Sequence, residues 1–491
     1  MGHMEWKKLL TQTRLSEEKP DPKAFNDYYI SPFERDYEKI VSSAAFRRLQ
    51  DKTQVFPLAK SDFVRTRLTH SIEVSTIAKQ LGIMCFQNTS ERRCVPIDKD
   101  EQEEKLSVKR VGDIEAVLSC AGLLHDLGNP PFGHVGEDII GEWFKEHLDK
   151  IFLMKEKEEK PISAMLTDRQ RKDLSHFEGN AQALRILAKA RYKSEINLPF
   201  SIMGALIKYP TRSDEMDEDR LIRHKIGYYQ AEEAVFSKIV SETGAVNGKS
   251  EIVRHPLAYL VEAADDIAYR TADLEDAVKS GVVSVDELLR FFNDTYKELG
   301  NKGKEKDQHI SKTEEVIREL ENLNKSEKDK TKVMGQWSTY LRKWLMYVAC
   351  WRFSVSYDLI LKGEYEEDLF YDTNHSLTVK LLKETMKEFV FDSRMIVEPE
   401  MAAQNILNFL LDRFVPAVVR FNGNGKMTTQ DKKVIQLISP NYITDYENSV
   451  KADGITDEAE LLYRRILIAT DFISGMTDGY AKELYRKMSG L

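Results

Sequence analysis

Apolar side chains recur at spacings of three and four residues along most of this chain. Residues 114–125, 179–190 and 256–278 each keep their apolar positions on one broad face, which is the periodicity of an amphipathic helix. Segments in which apolar and polar residues alternate, as they do in a half-buried strand, are scarce. The pattern therefore predicts an all-α protein.

Two highly charged segments, 151–175 and 300–332, interrupt the helical pattern and contain few core-forming residues. Such composition is typical of exposed excursions or mobile arms, and we take the second segment as the main boundary of the chain. The sequence is thus predicted to have four parts: an N-terminal arm (1–30, of which 1–3 read as an expression-tag remnant), a core (31–300), a charged excursion (301–335) and a helical C-terminal region that packs on the core (336–491).

Composition and charge narrow the class of protein. The chain has 491 residues, of which 42% are hydrophobic, so it can bury a sizeable core. It shows neither an apolar run of roughly 18 residues nor a signal-peptide pattern, and we expect a cytoplasmic protein with no membrane partner. The formal net charge of −9 argues against a surface built for nonspecific nucleic-acid binding. The four cysteines show no CxxC pairing, so we expect neither disulfides nor a thiolate zinc site.

Two common phosphate-binding motifs are missing from the sequence. Residues 422–429 (NGNGKMTT) lack the spacing GxxxxGK followed by Ser or Thr, and no GxGxxG opens a helix. A bound nucleotide would therefore need another device to hold its phosphates.

Residues 123–138 (LLHDLGNPPFGHVGED) concentrate histidines, acids, prolines and glycines directly after an apolar helical run. Gly128 and the prolines after it are expected to end that helix, so His125 and Asp126 lie at a helix end, where both side chains can turn toward one point. An imidazole nitrogen and a carboxylate oxygen together suit a divalent cation. A buried histidine that is paired only with its neighbouring carboxylate is the alternative.

Further ligand candidates come from two other predicted helices. His70 begins an amphipathic helix and follows Arg65 and Arg67, which can meet phosphate oxygens. In the helix from 256 onward, Asp265 falls beside the apolar stripe, where a carboxylate is unfavourable unless it is paired or bound to a metal. Asp266 aligns instead with the face that we predict to be solvated, together with Glu262, Arg270 and Asp273.

These residues resemble the H…HD…D pattern of the HD-domain metallophosphohydrolases. The resemblance is closer to one family in it, the bacterial deoxyguanosine triphosphate triphosphohydrolases, and its matching blocks run from about residue 30 to 480. In chain order the blocks are AAFRRLQDKTQVFPL, RLTHSIEV, LLHDLGNPPFGHVGE, HFEGNAQALR, IKYPT, EAADDIAYRTADLEDAV and ISGMTDGYA.

The resemblance implies an HD-domain helical core and a metal-dependent reaction. His70, His125, Asp126 and Asp265 would hold one divalent metal; Mg²⁺ or Mn²⁺ fits this ligand set, which does not exclude iron. The implied reaction splits the bond between the 5′ oxygen and the α phosphorus of dGTP, and of other dNTPs as further substrates. Its products are a deoxynucleoside and inorganic triphosphate.

The resemblance also makes His134 and Glu137 a catalytic pair. They stand three residues apart after the Gly-Pro break, so on a new helix they share a face, and the carboxylate can orient the imidazole and raise its basicity. The imidazole would activate water or engage the α phosphorus directly, and the sequence leaves both routes open. Asn129, Pro130, Pro131 and Gly133 are expected to form the rigid turn that presents the pair.

Six further positions resemble substrate contacts of the family, and each has a structural alternative. Gln54 resembles a residue near the sugar, and the others resemble contacts to phosphates or deoxyribose: Arg67, Asn180, Lys208, Tyr209 and Tyr269. A tyrosine packed against the sugar would exclude a 2′ hydroxyl. The resemblance further implies a homo-oligomer, with a hexamer as the common form, and the capacity to bind single-stranded DNA.

Two other functions remain open at this point. An HD-type phosphodiesterase or pyrophosphohydrolase that acts on cyclic nucleotides or guanosine polyphosphates shares the metal ligands, but it does not require the GNPPFGHVGE or ISGMTDGYA blocks. A catalytically inert, nucleic-acid-binding regulatory protein would be expected to lose the ligands, and all four are present.

Overall fold

The computed structural model describes residues 3–16, 31–55, 64–86, 108–155, 158–192, 196–301, 307–391, 394–422 and 426–490. Within these ranges the protein consists of α-helices, short 3-10 turns, one π-helical turn and one two-stranded antiparallel sheet. The predicted all-α class is confirmed.

The helices are α1 (Trp6–Leu9), α2 (Pro32–Ser42), α3 (Ala44–Arg47), α4 (Arg67–Phe86), α5 (Val108–Leu124), α6 (Gly133–His147), α7 (Asp168–Ser175), α8 (Gly179–Ala188), α9 (Phe200–Leu206), α10 (Glu233–Thr243), α11 (Pro256–Lys279), α12 (Val285–Asn301), α13 (Asp307–Ser326), α14 (Lys330–Val355), α15 (Tyr357–Lys362), α16 (Ser376–Met386), α17 (Arg394–Arg420), α18 (Thr429–Leu437), α19 (Pro440–Ala452), α20 (Glu458–Ser474) and α21 (Asp478–Ser489). The strands are β1 (Phe152–Lys155) and β2 (Glu158–Pro161).

The three segments with the clearest apolar periodicity all form helices, namely α5, α8 and α11. Helix α11 starts where the sequence provides both usual start signals. Pro256 occupies the first turn, and the His255 side chain accepts a hydrogen bond from the amide of Leu257 at 3.2 Å. The apolar face of α11 is buried along the whole helix. A polar side chain at the edge of that face is therefore held in a fixed position.

Two hydrophobic cores organise the fold. The first is built mainly by α4, α5, α9, α11 and α14, and residues such as Val74, Leu118 and Leu260 are fully buried in it. The second joins α6 to α17 and α20, with Phe144 and Ile466 at its centre. Because α4, α5 and α11 share the first core and α6 belongs to the second, the loop from α5 to α6 crosses from one core to the other.

The charged segment 151–175 does not form the predicted exposed excursion. It forms the β1–β2 hairpin and α7, and Leu153, Ile162, Leu166 and Leu174 are buried in the second core. That prediction was wrong because a few apolar residues of the segment reach the core, although Phe152 and Met154 stay exposed together with the abundant charged residues.

The described part of segment 300–332 is also packed against the first core and does not form an exposed excursion. Helix α13 buries Thr313, Val316, Ile317 and Leu320, and these positions follow the three-and-four spacing of a helix face. The high charge content hid this stripe, so the prediction was wrong here too. Residues on both sides of this segment share the first core.

The N-terminal residues pack closely in the part that the structure describes. Trp6 and Leu9 are fully buried, and the Trp6 indole donates a hydrogen bond to the Tyr357 hydroxyl at 2.6 Å. Residues 17–30 of the predicted arm and Cys94 lie outside the described residues, and the other three cysteines are free. Among the helices of the described ranges, none combines the length and apolar character needed to cross a bilayer.

Candidate metal centre and catalytic pair

Three side chains from three helices converge on one point. His70 lies in the first turn of α4, His125 directly follows α5, and Asp265 lies in the middle of α11. One ligand atom from each residue lies within 4.8 Å of those of the other two. Asp265 Oδ1 is 3.1 Å from His70 Nε2 and 3.4 Å from His125 Nε2. The structure thus brings together three of the four predicted metal ligands.

The ring of His125 is oriented for metal binding. Its Nδ1 lies 2.8 Å from the carbonyl oxygen of Gly122, in the last turn of α5, so this nitrogen donates its hydrogen to the backbone. The tautomer leaves a lone pair on Nε2, a buried nitrogen without a hydrogen-bond partner among the described residues. A metal-ligating histidine is commonly oriented by such a hydrogen bond from its other nitrogen. The observed group therefore fits a divalent cation.

Asp126 lies at the edge of this group. Its Oδ2 accepts a hydrogen bond from Arg67 Nη1 at 2.7 Å and is 3.5 Å from His125 Nε2. Its Oδ1 accepts a hydrogen bond from Asn129 Nδ2 at 2.6 Å. The structure thus shows Asp126 engaged with a cation of the protein rather than within the close group of three.

The carboxylates of the site are ionised without help from a metal. Burial alone would raise the pKa of Asp265, but the charge of Lys208, the charge and hydrogen bond of His125 and the hydrogen bond of His70 hold it well below the usual range. Lys208 Nζ is 2.6 Å from Asp265 Oδ2. For Asp126, burial is likewise outweighed by Arg67, so its pKa is lowered. Carboxylate oxygens together with imidazole nitrogens are suitable ligands for Mg²⁺ or Mn²⁺.

His134 and Glu137 form a pair on the first turn of α6. His134 Nδ1 is 2.9 Å from Glu137 Oε2, and the other carboxylate oxygen accepts the amide hydrogen of Gly179 at 2.8 Å. Glu137 is buried, whereas 75% of the His134 side chain is exposed. The carboxylate is therefore fixed from two sides and presents the imidazole outward.

Electrostatics couple these two groups. The charge of Glu137, followed by its hydrogen bond, raises the pKa of His134. Burial raises the pKa of Glu137, but the charge and hydrogen bond of His134 and the charge of Lys225 lower it overall. A carboxylate held ionised against one imidazole nitrogen makes the other nitrogen more basic, as general base catalysis requires.

The turn before α6 requires left-handed backbone. Phe132 and Gly133 have φ angles of 65° and 62°, a region that glycine adopts readily and phenylalanine rarely. A Cβ atom at Gly133 would lie 2.4 Å from Arg67 Nη2. Arg67, which is 3% exposed, therefore lies against both Asp126 and the start of the helix that carries His134.

Known proteins resemble this chain along most of its length. The HD domain family model matches residues 67–198. The chain is 39% identical to a deoxyguanosinetriphosphate triphosphohydrolase-like protein of Listeria innocua, across 99% of this chain and 100% of the relative. It is 30% identical to a protein of the same name from Pseudomonas aeruginosa over 99% of each chain, and 30% identical to the deoxyguanosinetriphosphate triphosphohydrolase of Serratia proteamaculans over 94% of each.

The chain belongs to the deoxyguanosinetriphosphate triphosphohydrolase-like family. Within this family member, the matched HD-domain range contains His70, His125, Asp126 and the His134–Glu137 pair. Asp265 lies beyond that range, and α11 brings it to the histidines.

Three of the six predicted substrate residues of this family member contact the site directly. Arg67 pairs with Asp126, and Lys208 pairs with Asp265. Asn180 Nδ2 donates to Glu178 Oε1 at 2.7 Å, on the turn next to the amide that holds Glu137.

The other three predicted substrate residues are neighbours, along the chain or one helical turn away, of residues that form contacts at or near the site. Tyr209 follows Lys208, and its ring packs edge-on against His224 with centroids 4.9 Å apart. Tyr269 lies one helical turn after Asp265 and is half-buried. Gln54 follows Thr53, which pairs with Thr66 just before α4, and the buried Gln54 Oε1 has no hydrogen-bond partner among the described residues.

Two residues of the site were not assigned a role from the sequence. Lys225 Nζ lies 3.0 Å from Glu178 Oε2, and its charge also acts on Glu137 and His134. Burial and the charge of Glu137 raise the pKa of Glu178, which Lys225 opposes. The long connection between α9 and α10 carries Lys225, and no spacing in the sequence indicates where that connection folds.

The predicted solvated face of α11 is largely covered. Asp273 is 1% exposed, so its placement on a solvated face was wrong. Asp266 is half-buried and pairs with Arg270 at 2.9 Å. The reason is that α4 and α14 both pack on α11: Arg65 of the α4 entry pairs with Asp276, and Ser338 of α14 donates to the carbonyl of Thr271 at 3.2 Å. A single sequence shows the apolar stripe of a helix but not how many neighbours cover the rest.

Proposed function

We propose that the protein hydrolyses dGTP, with other dNTPs as further substrates, to a deoxynucleoside and inorganic triphosphate. The observation that carries the proposal is the placement of Arg67. This buried cation joins the group of His70, His125 and Asp265, through Asp126, to the turn that presents His134. The names of the full-length relatives support the same reaction class.

In this proposal His70, His125, Asp126 and Asp265 would hold one divalent metal, Mg²⁺ or Mn²⁺. The buried lone pair of His125 and the ionised carboxylates fit such an ion. When bound, the metal supplies positive charge to a phosphate oxygen and lowers the pKa of a coordinated water. Asp126 would complete the ligand set by exchanging part of its contact with Arg67.

His134 moves the proton in the proposed reaction. With Nδ1–H donated to Glu137, the lone pair of Nε2 is free and exposed to solvent. It takes a proton from the attacking water or engages the α phosphorus directly, and both routes require a neutral imidazole. Glu137 holds the tautomer and stabilises the positive charge that the imidazole acquires.

The remaining cations offset the charge of the triphosphate. Arg67, Lys208 and Lys225 surround the metal group and the catalytic pair, each already held by a carboxylate of the site. Such fixed positive groups stabilise negative charge as it shifts toward the leaving triphosphate. We assign Asn180 to a phosphate or sugar contact on the same basis.

We assign Gln54, Tyr209 and Tyr269 to the sugar side of the pocket. A tyrosine ring packed against C2′ leaves no room for a hydroxyl, which would make the enzyme selective for deoxynucleotides.

The test is to incubate the protein with Mn²⁺ and each of the four dNTPs and four NTPs, and to identify the released phosphate species by anion-exchange chromatography. Intact triphosphate from dNTPs, with dGTP turned over fastest and NTPs poorly, supports the proposal. Pyrophosphate or a nucleoside monophosphate as the product would contradict it and favour another HD-type hydrolase. Release of no product at all would favour an inert HD domain.

A homo-oligomer, with a hexamer as its common form, single-stranded DNA binding and a cytoplasmic location remain predictions. Size-exclusion chromatography with light scattering measures the first, and fluorescence anisotropy with a labelled oligonucleotide measures the second.

A further inference from the structure

The segment that follows α20 reaches the turn before the catalytic pair. Asp478, the first residue of α21, is 2% exposed. Its Oδ1 accepts the amide hydrogen of Phe132 at 3.0 Å, and its Oδ2 accepts the amide hydrogen of Thr53 at 3.0 Å and the Thr53 hydroxyl. The buried Asp478 carboxylate thus accepts three hydrogen bonds from two segments, and each segment is more than 340 residues away along the chain.

The Phe132 amide is a site where a hydrogen bond affects backbone geometry. Phe132 is one of four residues other than glycine with positive φ in the described chain, and it stands two positions before His134. A residue held in this region costs about 1–3 kcal/mol and persists only where its surroundings enforce it. Asp478 supplies a side-chain acceptor to this strained peptide, and the direction of α6 depends on that peptide.

A second buried side chain, that of Lys52, forms hydrogen bonds at the other end of the same turn. Lys52 is 4% exposed, and its Nζ donates to the carbonyl oxygens of Asn129 at 2.5 Å and Ser474 at 2.7 Å. Asn129 in turn donates from its side chain to Asp126 at 2.6 Å. Ser474 is the last residue of α20, so both ends of the turn are held by the stretch from 474 to 478.

Both contacts involve buried charged side chains. Burying a lysine and an aspartate carries a desolvation penalty that apolar residues of similar size would avoid. Both charged groups end on main-chain atoms of the one turn that separates a predicted metal ligand from the predicted base. Burial lowers the pKa of Lys52 to about 7, and the charge of Asp478 opposes this shift. Asp478 therefore favours the charged form of Lys52.

We propose that Asp478 is a positioning residue for His134, acting through the backbone of Phe132, and that Lys52 fixes the other end of the same turn. The ISGMTDGYA block thereby has a role in turnover although it contains no group that touches the metal centre. This inference rests on the proposed function, since the effect is read in the rate of triphosphate release.

The test replaces Asp478 by Asn, which keeps the shape but presents an NH₂ group to one of the two amide donors. Misplacing a reacting group by about 1 Å costs on the order of 100-fold. We therefore expect kcat to fall about 10- to 100-fold, with KM for dGTP and the Kd for Mn²⁺, measured by calorimetry, within about threefold of the wild type. The matched control is Asp457→Asn, which removes a carboxylate that caps α20 at the amide of Glu460 and lies on the surface. It should leave kcat unchanged.

An unchanged kcat in folded Asp478→Asn would overturn the inference, and so would an equal loss of kcat and Mn²⁺ affinity, which indicates a general structural role. If that variant does not fold, Thr53→Val decides, because it removes the hydroxyl donor to Asp478 and keeps the amide. A reduced kcat with unchanged Mn²⁺ affinity supports positioning, and an unchanged kcat refutes it. If the wild type releases no triphosphate, the proposed function fails instead.

Discussion

Replacing Glu137 by Gln tests how the catalytic pair is held. The carboxylate satisfies two donors through separate oxygens, the Nδ1–H of His134 at 2.9 Å and the amide of Gly179 at 2.8 Å. A glutamine has one oxygen and one NH₂ group. If its oxygen faces Gly179, its NH₂ group faces Nδ1 and favours the opposite tautomer of His134. If its oxygen faces His134, two donors meet at Gly179.

Either arrangement removes the oriented base. A positioned general base contributes about 10²–10⁴ in rate, so kcat should fall by about that factor, or roughly 2.7–5.5 kcal/mol at about 1.36 kcal/mol per tenfold. KM should change by less than about threefold, because Arg67 and Lys208 are held by other carboxylates. Loss of an interaction that is made only in the transition state lowers kcat without changing KM.

The same substitution shifts the pH profile in a defined direction. Glu137 raises the pKa of His134, so the imidazole stays protonated to a higher pH and kcat rises as pH increases through that raised pKa. Without the negative charge, the pKa of His134 returns toward its ordinary value, and the acid limb of the kcat profile moves to lower pH.

The assay follows triphosphate release from dGTP between pH 5 and 9, with Glu142→Gln as the control. Glu142 lies on the same helix and is exposed. A Glu137→Gln enzyme with kcat within about twofold of the control, or with an acid limb that has not moved, would refute this account of the pair.

Three further outcomes are expected. Asp265→Ala should lose both Mn²⁺ binding and turnover, whereas His134→Ala should bind Mn²⁺ with unchanged affinity and release no triphosphate; calorimetry and product analysis separate these cases, and activity in both variants would contradict the site. Removing metal with EDTA should lower Tm and restoring Mn²⁺ should recover it, because an ion at about 100 times its Kd stabilises the native state by about 2.7 kcal/mol; an unchanged Tm in differential scanning calorimetry would argue against the metal centre. Gly133→Ala should reduce kcat, because it places a Cβ 2.4 Å from Arg67 Nη2 at a φ of 62°, and wild-type kcat would show that this approach is unimportant.

Much of the fold and site is encoded locally. The end of α5 at Leu124 follows from the Gly and Pro residues beyond it, and the contact between His134 and Glu137 follows from their separation by three positions on a helix. The apolar stripe of α11 singled out Asp265, and the structure places its carboxylate 3.1 Å from His70 Nε2. These features depend on neighbours within a few residues, so periodicity and stop signals predict them.

The errors and omissions depend on long-range packing. Charge content concealed the buried positions of α7 and α13, although only a few apolar residues per helix are needed to join a core. The burial of Asp273 depends on which helices pack around α11, and the contact of Asp478 with Phe132 joins positions 346 residues apart. No local pattern in the sequence reports such contacts.

The central claim is that water is added to the α phosphorus and that triphosphate leaves intact. The direct measurement is hydrolysis of dGTP in H₂¹⁸O with Mn²⁺, followed by mass spectrometry and ³¹P NMR of both products. The account predicts one ¹⁸O atom on a terminal phosphorus of triphosphate and none in deoxyguanosine. Label in the deoxynucleoside, or pyrophosphate in place of triphosphate, would contradict it.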